Sequence, residues 1–438
     1  MSFFAILVSL VVLVLLISRW QFNPFIAFLV AAIVAGVLLG VPLQEIPGAL
    51  ETGIGDMLGS IVIIICLGAM FGKLIADSGA AQAISNQLMS LFGEKYIIWA
   101  LMITGFVVGI PLFYNVGFVL LVPLVFTVAY QTKLPAVYLG IPLLAALSIT
   151  HGFLPPSPSP TALVAQFDAD IGKTLIYGLI IAIPATIVSG PLFSPFLKRI
   201  HCKPLATFTP KAVPAAELPG VTNSILTSLL PVILIALSSL LPYLLAADSS
   251  ISRALLFFGN PSIVMLLALA VATYTLGIAR RTPIKSLMNS YAEAVRDIAL
   301  IVLIIAGAGA LRQIFVISGV SAELAAGLQN IPINPLLLGW FIALIIRICL
   351  GSATVAGLTA AGIMAPLVLA SPTINPNLMV LSIGAGSLMC SHVNDSGFWM
   401  YKEYFNLSLK DTFKSWTAME TLIGTVGLIG VLLLDLVV

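Results

Sequence analysis

Apolar runs separated by short polar breaks fill almost the whole chain. Many of these runs approach the roughly 20 residues that a helix needs to cross a bilayer. In the first half they lie at Ser2–Ser18, Phe22–Gly40, Met57–Ala76, Tyr96–Gly109, Ile110–Tyr130, Pro135–Thr150 and Thr174–Phe193. In the second half they lie at Ser224–Ala246, Pro261–Ile278, Ile298–Ile317, Pro335–Leu350, Gly351–Ala370, Leu378–Cys390 and Ser415–Leu434. The pattern predicts an all-α polytopic membrane protein. We expect about 12 spans in addition to the two runs that proline or glycine interrupts, Ile110–Tyr130 and Gly351–Ala370.

The composition supports this pattern and excludes several classes of protein. Of the 438 residues, 60% are hydrophobic and only 8% are charged, whereas soluble domains carry roughly 25% charged residues. The net charge of +2 and the lack of a basic run argue against a nucleic-acid partner. Cys66, Cys202, Cys349 and Cys390 are scattered, without the spacing of a metal or redox site. We therefore expect a lipid bilayer around the protein and no metal or other cofactor.

A basic, proline-rich linker, residues 198–223, divides the chain into residues 1–197 and residues 224–438. Positively charged loops are retained in the cytoplasm, so the linker is predicted to be cytoplasmic. Its basic residues and prolines are Lys198, Arg199, His201, Lys203, Lys211, Pro204, Pro210, Pro214 and Pro219.

The two halves share landmarks at a nearly constant displacement. A shift of 240 residues places Ile64-Ile65 on Ile304-Ile305, Ser78-Gly79 on Ser318-Gly319 and Gly117 on Gly357. A shift of 241 places Pro42 on Pro283, Asp56 on Asp297 and His151 on His392. This indicates an internal repeat, and transporters built from repeats place their sites on discontinuous helices at the repeat interface. Span counting alone gives an even number between equivalent helices, which favours parallel repeats.

A polar break, Ser391–Gly397, interrupts the apolar pattern at a position that should lie at membrane depth. Irregular backbone survives there only where protein or a water-filled cavity surrounds it, and ionisable residues at that depth mark substrate or proton pathways. His392 and its counterpart His151 could titrate near physiological pH, or each could hold its break in shape. Asp395 could carry a proton or pair with Arg347.

The segment His151–Thr161 contains four prolines and cannot form a continuous helix, because proline removes a donor and clashes with the preceding turn. It would expose backbone carbonyls and the hydroxyls of Ser157, Ser159 and Thr161. One interpretation is a surface loop. Its alignment with the second break favours a binding site, with a broken helix near residues 151–160 and another near 391–397.

The stretch Gly351–Gly357 combines small residues with the hydroxyls of Ser352 and Thr354. Small side chains let backbone amides approach a ligand, and a helix that begins there would favour an anion. The alternative is close packing of helices through small residues, and the spacing favours neither.

Arg347 lies four residues before this stretch, inside an otherwise apolar run. A guanidinium can hold a carboxylate through two parallel hydrogen bonds. The alternative is a structural ion pair with an intramembrane acid, Asp297 or Asp395. Arg312 lies nearer the end of a span and could extend its side chain to the interface.

The motifs of common enzymes are missing from the chain, which has no nucleophile elbow, zinc-binding H-E-x-x-H motif, phosphate-binding glycine loop or paired cysteines. We therefore do not expect an enzyme. A passive anion channel would more often show rings of charge or repeated filter sequences, and neither is evident. A secondary transporter is the class that the paired breaks favour.

Several motifs resemble the gluconate permease (GntP) family of the wider ion transporter superfamily. They occur in family order across nearly the whole chain, at Gly68–Lys73, Thr150–Pro156, Leu350–Ala356, Ser391–Asp395, Gly397–Trp399 and Lys402–Asn406. The resemblance implies proton-coupled import of gluconate or a related sugar acid across a bacterial inner membrane, with D-serine or another small carboxylate as the substrate in some members. It also implies inverted repeats, two re-entrant hairpins, an elevator-type transport domain and a homodimer.

The resemblance also implies a set of site residues. It places hairpins near residues 110–130 and 351–370, with their tips near Asn115 and Ser352–Thr354. Hairpin amides and hydroxyls, with Arg347, would hold the carboxylate of the substrate. The expected substrate-binding residues are Asn115, His151, Ser157, Ser159, Thr161, Arg347, Ser352, Thr354, His392 and Asn394.

Two departures from the family pattern bear on coupling and specificity. Phe113-Tyr114-Asn115-Val116-Gly117 stands where an acid is usual at the third position, and Asn115 cannot carry a proton. A Ser-Pro pair, Ser157-Pro158, replaces the usual His-Pro. The remaining candidates for the proton carrier are Asp395, His151, His392 and Asp297.

Overall fold

Helices form all the regular secondary structure in the residues that the computed structural model describes. These residues are 2–110, 114–155, 157–202, 213–214, 217–240, 257–320, 333–371 and 374–438. Within these ranges no β-strand occurs. The predicted all-α class is therefore confirmed.

Seventeen α-helices are assigned in the described ranges, eight before the linker and nine after its start. The first half contains α1 (Ser2–Ser18), α2 (Pro24–Leu38), α3 (Ile46–Asp77), α4 (Ala80–Gly109), α5 (Tyr114–Thr132), α6 (Ala136–Phe153), α7 (Pro158–Gln166) and α8 (Ile171–Ile187). The second half contains α9 (Val221–Leu240), α10 (Pro261–Ala272), α11 (Ile284–Ile317), α12 (Pro335–Leu350), α13 (Ala353–Ala370), α14 (Pro376–Leu388), α15 (Ser396–Tyr404), α16 (Leu409–Thr412) and α17 (Ala418–Leu434). Single π-helical turns extend α8 and α10 and join α16 to α17.

Six of the described helices, counted with their π-helical extensions, are long and apolar enough to cross a membrane. Treating the two segments of the bent helix α3 as one span raises the number to seven. The described residues also contain shorter apolar helices of 10–17 residues, among them α2, α12 and α14. The prediction of a polytopic membrane protein is confirmed at this level.

Four helices begin at an Asn-Pro pair, and this pair explains why each of them starts at that position. Proline suits the first helical position because its missing N–H would be unpaired there in any case. The asparagine side chain then accepts a hydrogen bond from a donor of the first turn. These bonds are Phe25 N–H to Asn23 at 2.9 Å, Ser262 N–H to Asn260 at 3.0 Å, Leu336 N–H to Asn334 at 2.8 Å and Asn377 N–H to Asn375 at 3.0 Å.

The long helices α3 and α11 pack along each other at the centre of the structure. Their backbones meet at Gly53 and Gly309, where a Cβ added to Gly53 would lie 2.5 Å from the carbonyl oxygen of Gly309. A Cβ on Gly309 would collide in the same way with the carbonyl oxygen of Gly53. Small residues at such crossings let membrane helices approach closely. Helix α2 also packs against α11, and α10 packs against α3.

Three interruptions of the helical backbone bring polar residues into the interior. Helix α6 ends at Phe153 and α7 begins at Pro158, and α14 ends at Leu388 and α15 begins at Ser396. Between α12 and α13 the chain turns at Gly351, with φ of 71°, and Ser352. The three interruptions lie in the segments 151–160, 391–397 and Gly351–Gly357 that the sequence analysis singled out.

Parts of several predicted segments lie outside the described residues. The predicted run Ser224–Ala246 is described only as far as Leu240, and Pro156 in the first break is not described. The first hairpin was predicted near 110–130, and its residues 111–113 are among those not described. Of the linker, only 198–202, 213–214 and 217–223 are described. The far end of this linker is attached to the protein by Arg280, which donates hydrogen bonds to the carbonyl oxygen of Ser78 at 2.9 Å and to that of Glu217.

Candidate functional site

A cavity of about 530 Å³ lies where the interruptions meet. Its wall is formed by the starts of α5, α10, α13 and α15, the end of α12 and side chains of α3, α6, α11 and α17. Pockets for small ligands typically measure roughly 300–1,000 Å³. The cavity is therefore large enough for an organic acid of about six carbons.

Four helix N-termini line this cavity, which gives it a positive electrostatic bias. The first residues of a helix carry unpaired N–H groups and the positive end of the helix dipole, and both favour an anion. The lining residues at these four starts are Tyr114, Asn115 and Val116 of α5, Asn260, Pro261 and Ser262 of α10, Ser352 to Val355 at α13, and Asp395, Ser396 and Gly397 at α15.

Arg347 and Asp395 form a buried ion pair in the wall of the cavity. An Nη2 atom of Arg347 lies 2.5 Å from Oδ2 of Asp395, and their side chains are only 4% and 10% exposed. Of the two roles that the sequence left open for Arg347, pairing with Asp395 is thus realised. The pair connects the end of α12 to the break before α15.

Asp395 has further partners that fix the break in place. Its Oδ1 accepts the backbone N–H of Gly397 at 3.0 Å, which caps α15, and its Oδ2 accepts the hydroxyl of Ser391. Ser391 in turn accepts the indole N–H of Trp416 at 2.7 Å. The carboxylate therefore has three partners, which are a cation, a hydroxyl and a backbone donor.

Arg347 retains hydrogen-bonding capacity that its partner does not use. Its Nε and Nη1 atoms are buried and have no hydrogen-bond partner within the described part of the chain. A guanidinium offers five donors in a fixed planar arrangement. The ion pair with Asp395 therefore leaves two buried nitrogen atoms of Arg347 available to a further acceptor.

Asn394 joins the second break to the turn between α12 and α13. Its amide nitrogen donates to the carbonyl oxygens of Ile348 at 2.7 Å and Cys349 at 3.2 Å, which satisfies acceptors at the end of α12. The carbonyl oxygen of Asn394 lies so close to Gly351 that a Cβ there would collide with it. The Oδ1 atom of Asn394 is buried without a partner among the described residues.

The turn residues Ser352 and Thr354 present a helix start to the cavity. The hydroxyl of Ser352 accepts the N–H of Val355 at 3.4 Å and caps α13. Both residues line the cavity. Helix α13 therefore begins within the stretch Gly351–Gly357.

The cavity gathers seven of the predicted site residues and leaves five outside its wall. The seven that line it are Asn115, His151, Arg347, Ser352, Thr354, Asn394 and Asp395. The five that do not are Ser157, Ser159, Thr161, His392 and Asp297.

The five residues outside the wall occupy different environments. Ser157 and Ser159 are buried at the start of α7, and Thr161 donates to the carbonyl oxygen of Ser157 at 2.8 Å within that helix. His392 has its Nδ1 atom 3.0 Å from the carbonyl oxygen of Cys390, inside its own break. Asp297 occupies an exposed position on α11.

Sequence reasoning did not place Glu420, Arg312, Tyr114 or Trp416 in the wall of the cavity, where all four lie. Glu420 on α17 is 1% exposed and accepts the hydroxyl of Ser148 at 2.6 Å. Arg312 lines the cavity rather than extending to the interface, and Tyr114 lies beside Trp416 with ring centroids 5.7 Å apart. An acid inside the final apolar run was the available signal for Glu420, because ionisable residues within spans are rare.

Comparison with known proteins shows the family to which the chain belongs. The family model for GntP family permeases matches residues 1–437. The chain is 44% identical to a high-affinity gluconate transporter of Escherichia coli over 98% of both chains, and 43% identical to a gluconate permease of Bacillus subtilis over the full length of both. It is also 43% identical, again over both full lengths, to the Gnt-II system L-idonate transporter of Escherichia coli. This multi-pass membrane protein therefore belongs to the GntP family of permeases.

Proposed function

We propose that the protein imports gluconate or a closely related sugar acid across a bacterial inner membrane by proton symport. The observation that carries the proposal is the cavity with four helix N-termini and a buried arginine whose Nε and Nη1 donors have no partner among the described residues. Such a site favours a carboxylate. The relatives named for gluconate and L-idonate transport support a sugar acid as the substrate.

The polar groups of the wall suit the two ends of a sugar acid. The carboxylate fits the side of the cavity formed by Arg347 and the start of α13 at Ser352 and Thr354. The polyol fits Asn115 and Asn394, because carboxamides can both donate to and accept from hydroxyls. His151 also lines the cavity, and its Nδ1 atom has no partner in the part of the chain that is described.

Symport of a proton follows from the charge of the substrate. Importing a monoanion against a negative interior costs about 2.3 kcal/mol for each 100 mV. One accompanying proton makes the step electroneutral and leaves the pH gradient to drive accumulation. Asp395, His151, His392 and Asp297 were the predicted carriers, and of these only Asp395 and His151 line the cavity.

We further propose two inverted repeats, residues 1–197 and 224–438, joined by a cytoplasmic linker and operating as an elevator within a homodimer. Helices α2 to α7 correspond in order to α10 to α15, and α8 corresponds to α16 and α17 taken together with the π-helical turn that joins them. The helices α3 and α11 contain 32 and 34 residues and are each followed by Ser-Gly, with the glycine at φ of 80° and 69°. The turn between α12 and α13 has the form of a re-entrant hairpin tip.

Counterflow of labelled gluconate in proteoliposomes tests the transport class. We expect unlabelled gluconate inside to accelerate entry of the labelled molecule, with competition by L-idonate. Acceleration by D-serine or another small carboxylate alone would change the substrate class. Leakage without acceleration would indicate a passive anion channel and overturn the proposal.

A pair of threonines on α13 tests the location of the substrate. Thr354 lines the cavity and Thr359, on the same helix, does not. Thr354→Val should raise the gluconate KM by about five- to tenfold, which corresponds to the loss of one hydrogen bond of about 1–1.5 kcal/mol. Thr359→Val should leave the KM near the parent value. Equal effects of the two variants would place the substrate elsewhere.

A further inference from the structure

Glu420 is a second buried acid of the cavity, and no proposed role uses it. Among the residues whose side chains are described, Glu420 and Asp395 are the only buried acids. One oxygen of Glu420 accepts the hydroxyl of Ser148 at 2.6 Å, and the other, Oε2, has no hydrogen-bond partner in the described ranges. Glu420 therefore has a carboxyl oxygen available to hold a proton.

The partners of the two acids differ in charge. Asp395 has a guanidinium, a hydroxyl and a backbone N–H as partners. Glu420 has a single neutral hydroxyl and forms no ion pair among the described residues. An ionised carboxylate that is buried without a cation is costly, and taking up a proton removes the cost. Glu420, which lacks a cation, is thus suited to gain and lose a proton.

The groups around Glu420 place it within reach of the substrate charge. The titratable and charged residues that share the cavity wall with it are Tyr114 on α5, His151 on α6, Arg312 on α11, Arg347 on α12 and Asp395 before α15. Arg347 and Asp395 place a positive and a negative charge in the same wall as Glu420. A bound sugar acid adds a further negative charge to the same cavity.

We propose that Glu420 is the proton-binding site of the transporter, coupled to the substrate through the shared cavity. A substrate carboxylate in the cavity disfavours ionised Glu420 because like charges repel, and a proton on Glu420 removes that repulsion. Since such coupling is reciprocal, substrate promotes proton binding and the proton promotes substrate binding. The inference rests on the proposed symport of a sugar acid and identifies the residue that performs the coupling.

The substitution Glu420→Gln, which imitates the protonated side chain, tests this role in proteoliposomes. One-to-one symport converts each unit of imposed pH difference into about tenfold accumulation of gluconate. We expect Glu420→Gln to abolish accumulation and gluconate-dependent proton influx while it retains counterflow that no longer varies with pH. Glu403→Gln provides the matched control, because Glu403 is paired with Lys402 at 2.7 Å and does not line the cavity.

The outcomes separate this inference from the proposed function. If the parent protein shows no gluconate counterflow or no coupled proton influx, the proposed symport fails. If the parent is coupled and Glu420→Gln still accumulates gluconate with proton influx, Glu420 is not the coupling site.

An infrared experiment on the parent protein makes the test independent of whether the variant folds. Gluconate should change the absorption of a protonated carboxyl, and this band should move when glutamate, but not aspartate, carries carbon-13. A band that moves only with labelled aspartate would assign the proton to Asp395 and overturn the inference.

Discussion

Arg347 and Asp395 illustrate how much a single buried pair contributes to this site. Both charges lie in the protein interior, and each offsets part of the desolvation cost of the other. Their contact also joins two segments, the end of α12 and the second break, that lie 48 residues apart. The pair therefore joins two parts of the cavity wall, and its arginine is the cation that we propose for the substrate carboxylate.

Removing one partner of this pair should destabilise the protein more than removing both. Arg347→Ala leaves Asp395 buried without a cation and should lower the free energy of unfolding by about 3–5 kcal/mol. The double variant Arg347→Ala, Asp395→Ala should recover part of this loss in thermal unfolding of the detergent-solubilised protein, without recovery of transport. A double variant as unstable as the single one would show that the pair does not provide the stability ascribed to it.

Gly351 is required by two constraints at once, a left-handed backbone and the nearby carbonyl oxygen of Asn394. Gly351→Ala should therefore lower the free energy of unfolding by more than about 2 kcal/mol and impair gluconate counterflow. A Cβ added at Gly362, on α13, would have no neighbouring atom within 4 Å. Gly362→Ala should be neutral or stabilise the helix by up to about 1 kcal/mol. Similar losses in both variants would contradict the proposed close approach of the turn to the break.

At the level of helices, the contact between α3 and α11 supports the rest of the molecule. It depends on two glycines that face each other, Gly53 and Gly309. Membrane helices gain little from apolar burial against each other, because lipid is equally apolar, so close van der Waals packing provides much of the association. A bulkier residue at this crossing should therefore separate the two halves.

Gly53→Ala tests this packing, with Gly55→Ala on the same helix as its control. A Cβ at position 53 would meet the α11 backbone, whereas nothing lies within 4 Å of a Cβ at position 55. We expect Gly53→Ala to lower the free energy of unfolding by about 1–3 kcal/mol, and Gly55→Ala to change it little or raise it. Thermal unfolding of both variants in the same detergent provides the measurement. An unaffected Gly53→Ala protein would show that the two helices separate without cost.

Across the whole molecule, the sequence predicted well those features that depend on neighbouring residues along the chain. The span pattern, the break between Phe153 and Pro158 and the turn at Gly351 follow from hydrophobic runs, prolines and glycine, which act on their own neighbourhood. Contacts between distant segments were not encoded in any local pattern. The pairing of Ser148 with Glu420 spans 272 residues, and one acid in an apolar run does not reveal which helix it faces.

The first break shows the same distinction between local and distant contacts. Ser157, Ser159 and Thr161 were expected around the substrate because they follow the first break. The chain does break there, yet the start of α7 packs against α13 and α14, and none of the three residues lines the cavity. Proline content determined where the helix ends but not which side of the break faces the ligand.

For the whole molecule, the cavity combines an anion-binding wall with a buried acid, and this combination makes electroneutral symport the proposed mechanism. Gluconate uptake into proteoliposomes under an imposed pH difference, acid outside, tests it most directly. We expect accumulation of about tenfold for each pH unit, abolished by a protonophore and accompanied by one proton for each gluconate. Uptake that only equilibrates gluconate across the membrane, without substrate-dependent proton influx, would contradict symport.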